Sequence, residues 1–263
     1  MRKAFQLAAT AVVALITYTT AAAGQVAATA GQAAAAPSVD ELIAKNLNAR
    51  GGEDKLRALQ SMRITGKVSV QGMELPMTVN AKRPNMMRQE MQIQDKKVVT
   101  AFDGQKAWMI NPMMGADAAQ EVPGPQAEMT RDQADFDGPF VDYKTKGHTI
   151  ELVKGESPDG ADKLPNGRRV YTLKVTRKNG RVQHYYLDAE SGIELRMSNQ
   201  LEQGGQAFNI DTELDDYRAE QGITVPHTVR NLMNGQLMMT MTVEKIEFNL
   251  PLEDSFFRMP GKP

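Results

Sequence analysis

Along residues 73–83 the apolar positions fall on every second residue. Met73, Leu75, Met77, Val79 and Ala81 alternate with Glu74, Pro76, Thr78, Asn80 and Lys82. A period of two sends the two sets to opposite sides of a β-strand. The same alternation returns in Met87, Met91 and Ile93 against Arg88, Glu90 and Gln92. It returns again in Ile193, Leu195 and Met197, in Phe208, Ile210 and Leu214, and in Leu237, Met239, Met241 and Val243. These rows predict a sheet with one apolar face. The row that starts at Met73 ends on Arg83, and Pro84 ends the strand because it has no N–H for the ladder. An unpaired guanidinium is costly to bury. Arg83 therefore belongs at a rim, bound to carbonyls or carboxylates, or else it snorkels into solvent.

The pattern before the strands has a different period. Ser38 followed by Glu41 forms a capping box, and Val39, Leu42, Ile43 and Leu47 share one helical face. Gly51-Gly52 stops this helix, and Lys55–Leu59 add a further turn. Strands are then predicted at 61–71, 73–83, 86–94, 97–103 and 105–111, joined by turn residues such as Gln71-Gly72 and Asp103-Gly104. Residues 112–147, rich in proline and glycine, break the rhythm and hold one short helix at 126–136. Seven strands follow, at 148–156, 168–177, 181–188, 192–202, 206–218, 223–233 and 236–248, with hairpin turns at Asn179-Gly180 and Asn234-Gly235. The tail carries Leu250, Leu252, Phe256 and Phe257, which predicts that it is tied down. A sheet of eleven or twelve strands curls or closes. The expected class is mainly β (α+β): an incomplete antiparallel β-barrel with an N-terminal helix and a helical lid insertion at 112–147.

The N-terminus changes the expected location. Arg2 and Lys3 precede an apolar run at 4–16, which is shorter than the roughly 20 residues of a membrane span. Small residues then offer cleavage after Ala23. This reads as a secretory signal at 1–23, with an uncleaved anchor as the alternative. Residues 24–37 form an Ala/Gly/Gln linker, and 38–263 form a single domain. The expected location is the periplasm.

Composition narrows the chemistry. A net charge of −1 with scattered Lys and Arg gives no reason to bind nucleic acid. The absence of cysteine removes disulfides, thiolate ligands and thiol nucleophiles. His148, His184 and His227 lack ligand spacing, and no hydrolase, metalloprotease or nucleotide-binding motif is present. Asp211, Glu213 and Asp215 share one polar strand face and read as solvated. The stretch 154–167 lacks the ordered pattern of a calcium loop. The expectation is a protein that is not an enzyme, with no cofactor and no metal.

Methionine is the unusual residue, at 17 in all. Met62, Met73, Met77, Met86, Met87, Met91, Met109, Met113 and Met114 crowd the first half. Unbranched and polarizable, Met suits surfaces that accept several shapes, whereas a core that sets once is better served by Leu, Ile and Val. Two readings stand: an ordinary β core, or a cavity for a flexible apolar ligand such as an acyl chain. Each methylene buried there is worth roughly 0.8 kcal/mol.

Two stretches carry a resemblance. The sequence AKRPNMMRQEM (81–91) is followed by FDGQKAWMINPMMG (102–115), after an N-terminal helix. In this order they resemble the LolA family of periplasmic lipoprotein carriers. DDYRAEQGITVPHTV (215–229) is similar to a segment of related outer-membrane lipoprotein-sorting sequences. The resemblance is strong over 38–115 and loose over 148–260. It implies a half-barrel that holds a lipoprotein's acyl chains without nucleotide or metal. It also implies cargo taken from an inner-membrane transporter and delivered to an outer-membrane acceptor. In that family the arginine before the proline affects lid closure and one-way delivery, which maps to Arg83. The insertion at 112–147 and the length of the second half depart from the best-known carriers. The same fold also serves lipoprotein acceptors and periplasmic sensors.

The leading expectation is a periplasmic carrier of lipidated protein or another lipid. The alternative is a sensing or interaction module of the same fold. Expected lining residues are Leu75, Met77, Val79, Met87, Met91, Ile93, Trp108 and Ile110, with Arg83 as the gate. For Trp108, plain core is the competing assignment.

Overall fold

The computed structural model describes residues 36–261 apart from 158 and 204. The signal segment at 1–23 and most of the linker lie outside the described residues. Helix α1 (Val39–Ala49) starts as its capping box requires. The Glu41 amide donates to Ser38 Oγ at 3.3 Å, and the Ser38 amide donates to Glu41 Oε2 at 2.7 Å. Leu42, Ile43 and Leu47 are buried on its inner face. Gly51, at φ +122°, turns the chain into α2 (Glu53–Ala58). A Cβ there would stand 2.4 Å from the Gly222 carbonyl oxygen, so the turn passes another backbone too closely for a side chain.

The strands are β1 (Ser61–Val70), β2 (Met73–Lys82), β3 (Met86–Ile93), β4 (Lys96–Asp103), β5 (Ala107–Asn111), β6 (Ala116–Glu121), β7 (Thr149–Val153), β8 (Asp162–Lys163), β9 (Arg169–Thr176), β10 (Val182–Asp188), β11 (Glu194–Gln203), β12 (Gln206–Glu220), β13 (Ile223–Met233) and β14 (Gln236–Phe248). The helix of the insertion is α3 (Gly124–Gln133). All fourteen strands form one antiparallel sheet, ordered β6-β5-β4-β3-β2-β1-β14-β13-β12-β11-β10-β9-β7, with β8 beside β9. It is two meanders joined where the first strand pairs with the last, Met62 opposite Phe248 and Val68 opposite Met241. β6 and β7 remain edges, so the sheet is an incomplete barrel.

The strand count exceeds the expected eleven or twelve by β6 and β8. The β6 stretch, ADAAQE, carries no apolar alternation; its pairing to β5 makes it a strand. β8 spans two residues.

The two faces of the sheet are covered differently. On the inner face, Leu42, Ile43, Leu47 and Leu56 pack with Phe140 and Val141 onto Ile150, Leu173, Val175, Tyr185, Leu187 and Ile223. Beneath α3, a second cluster joins Met87, Phe102, Ala107, Val122 and Ala134. A third joins Val99, Ala101 and Trp108, whose cross-strand pairing places them one residue out of step with Phe102 and Ala107, hence on the outer face. The C-terminal segment seals that face. Phe257 is fully buried, and its carbonyl accepts from Trp108 Nε1 at 2.8 Å. Lys82 donates to Leu252 O and Asp254, both at 2.6 Å.

Candidate functional site

α1 and α2 fill only part of the inner face of β10–β14. That face borders a cavity of about 640 Å³ between Tyr185, Met197, Ile210, Leu214 and Met239 on the sheet and Arg50, Phe136 and Pro139 on the cover. A smaller pocket of about 250 Å³ lies under α2, walled by Leu56, Met62, Ile64, Val229, Met241, Ile246 and Phe248. Arg50, Phe136, Val225 and Pro226 border both spaces, so they meet at one constriction. The larger space lies within the roughly 300–1,000 Å³ of small-molecule sites.

The cover is the chain that follows α3. Its Phe136 amide bonds back to Pro84 O at 3.4 Å. The Arg83 guanidinium fastens it. Nε donates to the Leu59 carbonyl, Nη2 to the Leu56 carbonyl at 2.9 Å, and Nη1 to Asp137. The same group lies 5.1 Å from the Phe136 ring centroid. One side chain at the end of β2 therefore ties together the last turn of α2 and the covering loop. Leu56 lies in the last turn of α2 and Leu59 is its C-cap, where carbonyls lack the full set of helical donors. Five planar N–H groups suit Arg to this task better than Lys.

An ionic wall closes one side of the larger cavity. Arg181 Nη1 binds Asp132 at 2.6 Å, and buried Arg177 lies 3.6 Å from Asp132 and 3.7 Å from Asp135. Lys146 binds Asp135 at 2.6 Å and the Gly138 carbonyl at 2.7 Å, bracing the cover from outside. Burial raises the pKa of Asp132 above the ordinary carboxylate value, and the Arg177 and Arg181 charges oppose the rise. Glu194 faces the cavity from β11 without a side-chain hydrogen bond or ion pair among the described residues. Burial pushes its pKa up to about 7, against a smaller opposing pull from Arg50. Burial also raises the Tyr185 and Tyr217 hydroxyls.

The expected lining residues separate into two groups. Leu75, Met77, Val79, Met87, Met91 and Ile93 do share the inner face, since Met77 stands opposite Met91 and Ala81 opposite Met87. They border neither cavity. Val79 and Met87 pack into the cluster beneath α3. Trp108 and Ile110 require a correction, because they lie on the opposite face, in the cluster with Val99 and Ala101. Trp108 is core there, bound to Phe257 O and faced by the Arg88 guanidinium at 5.4 Å. The reason is the alternation within AWMIN, which turns Ala107 and Met109 inward and Trp108 and Ile110 outward. Asp211 and Glu213 also sit on the outer face. Asp211 binds Arg196 at 2.7 Å, and Arg230 pairs with Asp215 at 3.4 Å.

Sequence reasoning missed Arg50, Phe136 and Glu194. The alternations at Ile193–Met197, Phe208–Leu214 and Leu237–Val243 did point toward this half of the sheet. Methionines do border the two spaces, among them Met62, Met197, Met239 and Met241.

Solved structures share this architecture. A LolA superfamily protein from Nitrosomonas europaea superposes with a TM-score of 0.55 at 10% identity, over 85% of this chain and 98% of the other. The chain has a LolA-like fold. A domain assigned to outer membrane lipoprotein sorting from Vibrio parahaemolyticus, with the same fold, gives a TM-score of 0.52 at 13% identity, over 82% and 97%. A DUF1329 family protein from Desulfovibrio piger gives 0.55 at 12% identity, over 83% and 95%. No family model and no curated protein matches the sequence. Among the described residues, no helix of this LolA-like chain is long and apolar enough to cross a membrane.

Proposed function

We propose that the protein is a periplasmic carrier that holds the acyl chains of a lipidated protein, or of another lipid, in the paired cavities. The observation that carries this reading is the apolar space bordered by methionines, under a cover that Arg83 ties to both α2 and the loop at Asp137. Apolar walls reward each withdrawn methylene, and Met adapts to chains of different shape. The fold of the lipoprotein-sorting neighbour supports the reading, as does the signal-like N-terminus. Loading from an inner-membrane transporter complex and delivery to an outer-membrane acceptor follow as the partners of such a cycle.

Mass spectrometry of protein purified gently from its native cells tests this. Copurified lipid or lipoprotein is the expected result. A ligand-free protein that also fails to bind the neutral fluorophore N-phenyl-1-naphthylamine would remove the carrier reading.

A further inference from the structure

The charged groups around the two cavities fall into pairs, with two exceptions. Asp132 and Asp135 pair with Arg177, Arg181 and Lys146, and Asp137 pairs with Arg83. Arg50 and Glu194 make no ion pair or side-chain hydrogen bond among the described residues, although both border the larger space. Arg50 also borders the apolar pocket, so its side chain stands at the constriction where a polar-edged chamber meets a dry one.

The position explains how a cation stays there. Arg50 is the C-cap of α1, where the helix dipole favours positive charge without a carboxylate partner. Its neighbour Glu194 can become neutral, because burial raises its pKa to about 7. Tyr217 and Tyr185 face the same space with raised hydroxyl pKa values and add no charge. Among the described residues the Arg50 guanidinium makes no hydrogen bond with its five N–H donors, and once Glu194 is protonated it is the remaining charge at the constriction.

We propose that Arg50 is the headgroup site for an anionic amphiphile with one alkyl chain, its carboxylate on the guanidinium and its chain in the pocket of Met62, Ile64, Val229, Met241, Ile246 and Phe248. That pocket, at about 250 Å³, is smaller than a typical whole-ligand site and suits one chain. A carboxylate accepts two parallel N–H bonds from Arg, the strongest pairing open to either group. A neutral ester or alcohol leaves the guanidinium desolvated and unpaired. This assignment rests on the carrier reading and narrows it, since purely neutral cargo does not satisfy Arg50.

Displacement of N-phenyl-1-naphthylamine from the full chain tests it, with laurate and 1-dodecanol as competitors of equal chain length. Wild type is expected to prefer laurate by about ten-fold, the usual worth of a charge-assisted hydrogen bond. Arg50→Met should abolish the preference while fluorophore binding and the melting temperature hold, and Arg50→Lys should restore part of it. Equal competition in wild type, or a preference that survives Arg50→Met, overturns the headgroup site but leaves the apolar cavity standing. If the fluorophore itself fails to bind, the carrier reading falls, and this site with it. If Arg50→Met unfolds the protein, Arg50→Gln provides the folded comparison, and an undiminished preference in that variant overturns the assignment.

Discussion

The two meanders of the sheet present the same chemistry and meet different fates. Both line their inner face with methionine and aliphatic side chains at a spacing of two. Over β2–β5 the part of that face beneath α3 is filled, because α3 sets Ala127 and Ala134 against Met87, Phe102 and Ala107, while Leu75, Met91 and Ile93 stay partly exposed. Over β10–β14, α1, α2 and the loop around Phe136 and Pro139 cover part of it, and a cavity remains. An apolar strand face is thus a demand for burial, and what meets the demand lies elsewhere in the chain. The first meander is satisfied by protein, and the second leaves room for a ligand.

The comparison can be broken most forcefully at Trp108. Trp108→Ala should cost about 3–5 kcal/mol, because a fully buried ring is lost together with its bond to Phe257 O. Chemical denaturation measures this, and a binding assay on the milder Trp108→Phe should show unchanged affinity for an apolar fluorophore. Reduced affinity in a stably folded Trp108→Phe would return Trp108 to the ligand site.

Paired substitutions sharpen it further. Met87→Ala, beneath α3 at 5% exposure, should destabilise by about 2–4 kcal/mol and leave ligand binding alone. Met239→Ala, at the cavity, should cost under about 1 kcal/mol and weaken apolar binding. The same denaturation and fluorophore titrations read both, and equal destabilisation of the two variants would contradict the division into filled and open halves.

Arg83 connects the halves, since it leaves β2 in the filled meander and fastens the cover of the open one. Arg83→Leu should cost about 2 kcal/mol, less than a fully buried pair because the side chain is 20% exposed. Apolar binding should persist, while transfer of a bound lipid to acceptor vesicles slows. A global loss of structure would make Arg83 a structural residue instead.

These halves were unequally visible in the sequence. The alternation at 73–83 was enough to put Arg83 at a rim, but its acceptor Asp137 lies 54 residues away across the insertion. No local pattern could join them. Periodicity in AWMIN separates Trp108 and Ile110 from Ala107 and Met109, but it does not say which pair faces inward, so plain core remained only the competing assignment for Trp108. β6 was hidden because ADAAQE becomes a strand through its partner rather than its own side chains. The cavity was hidden for a deeper reason. Both meanders show the same pattern, and the placement of the three helices and the loop after α3 decides which one stays open.

The smallest effect tests whether the open half is desolvated at all. The pKa of Glu194, about 7, lies above the ordinary 4.5 of a glutamate. Between those values the folded chain holds a proton that the unfolded chain has released. Stability therefore falls as pH rises from 4.5 to 7 and is level above that, as far as this group is concerned. Glu194→Gln removes the buried charge and keeps the shape. At pH 8 the variant should be more stable than wild type by about 1–2 kcal/mol, below the full worth of the shift because the Glu194 residue is only partly buried. At pH 4.5 the two proteins should match. Thermal melts at pH 4.5, 6 and 8 give the answer. A difference that stays constant across pH would mean that Glu194 is hydrated as on a surface, and that the space it faces is open to water.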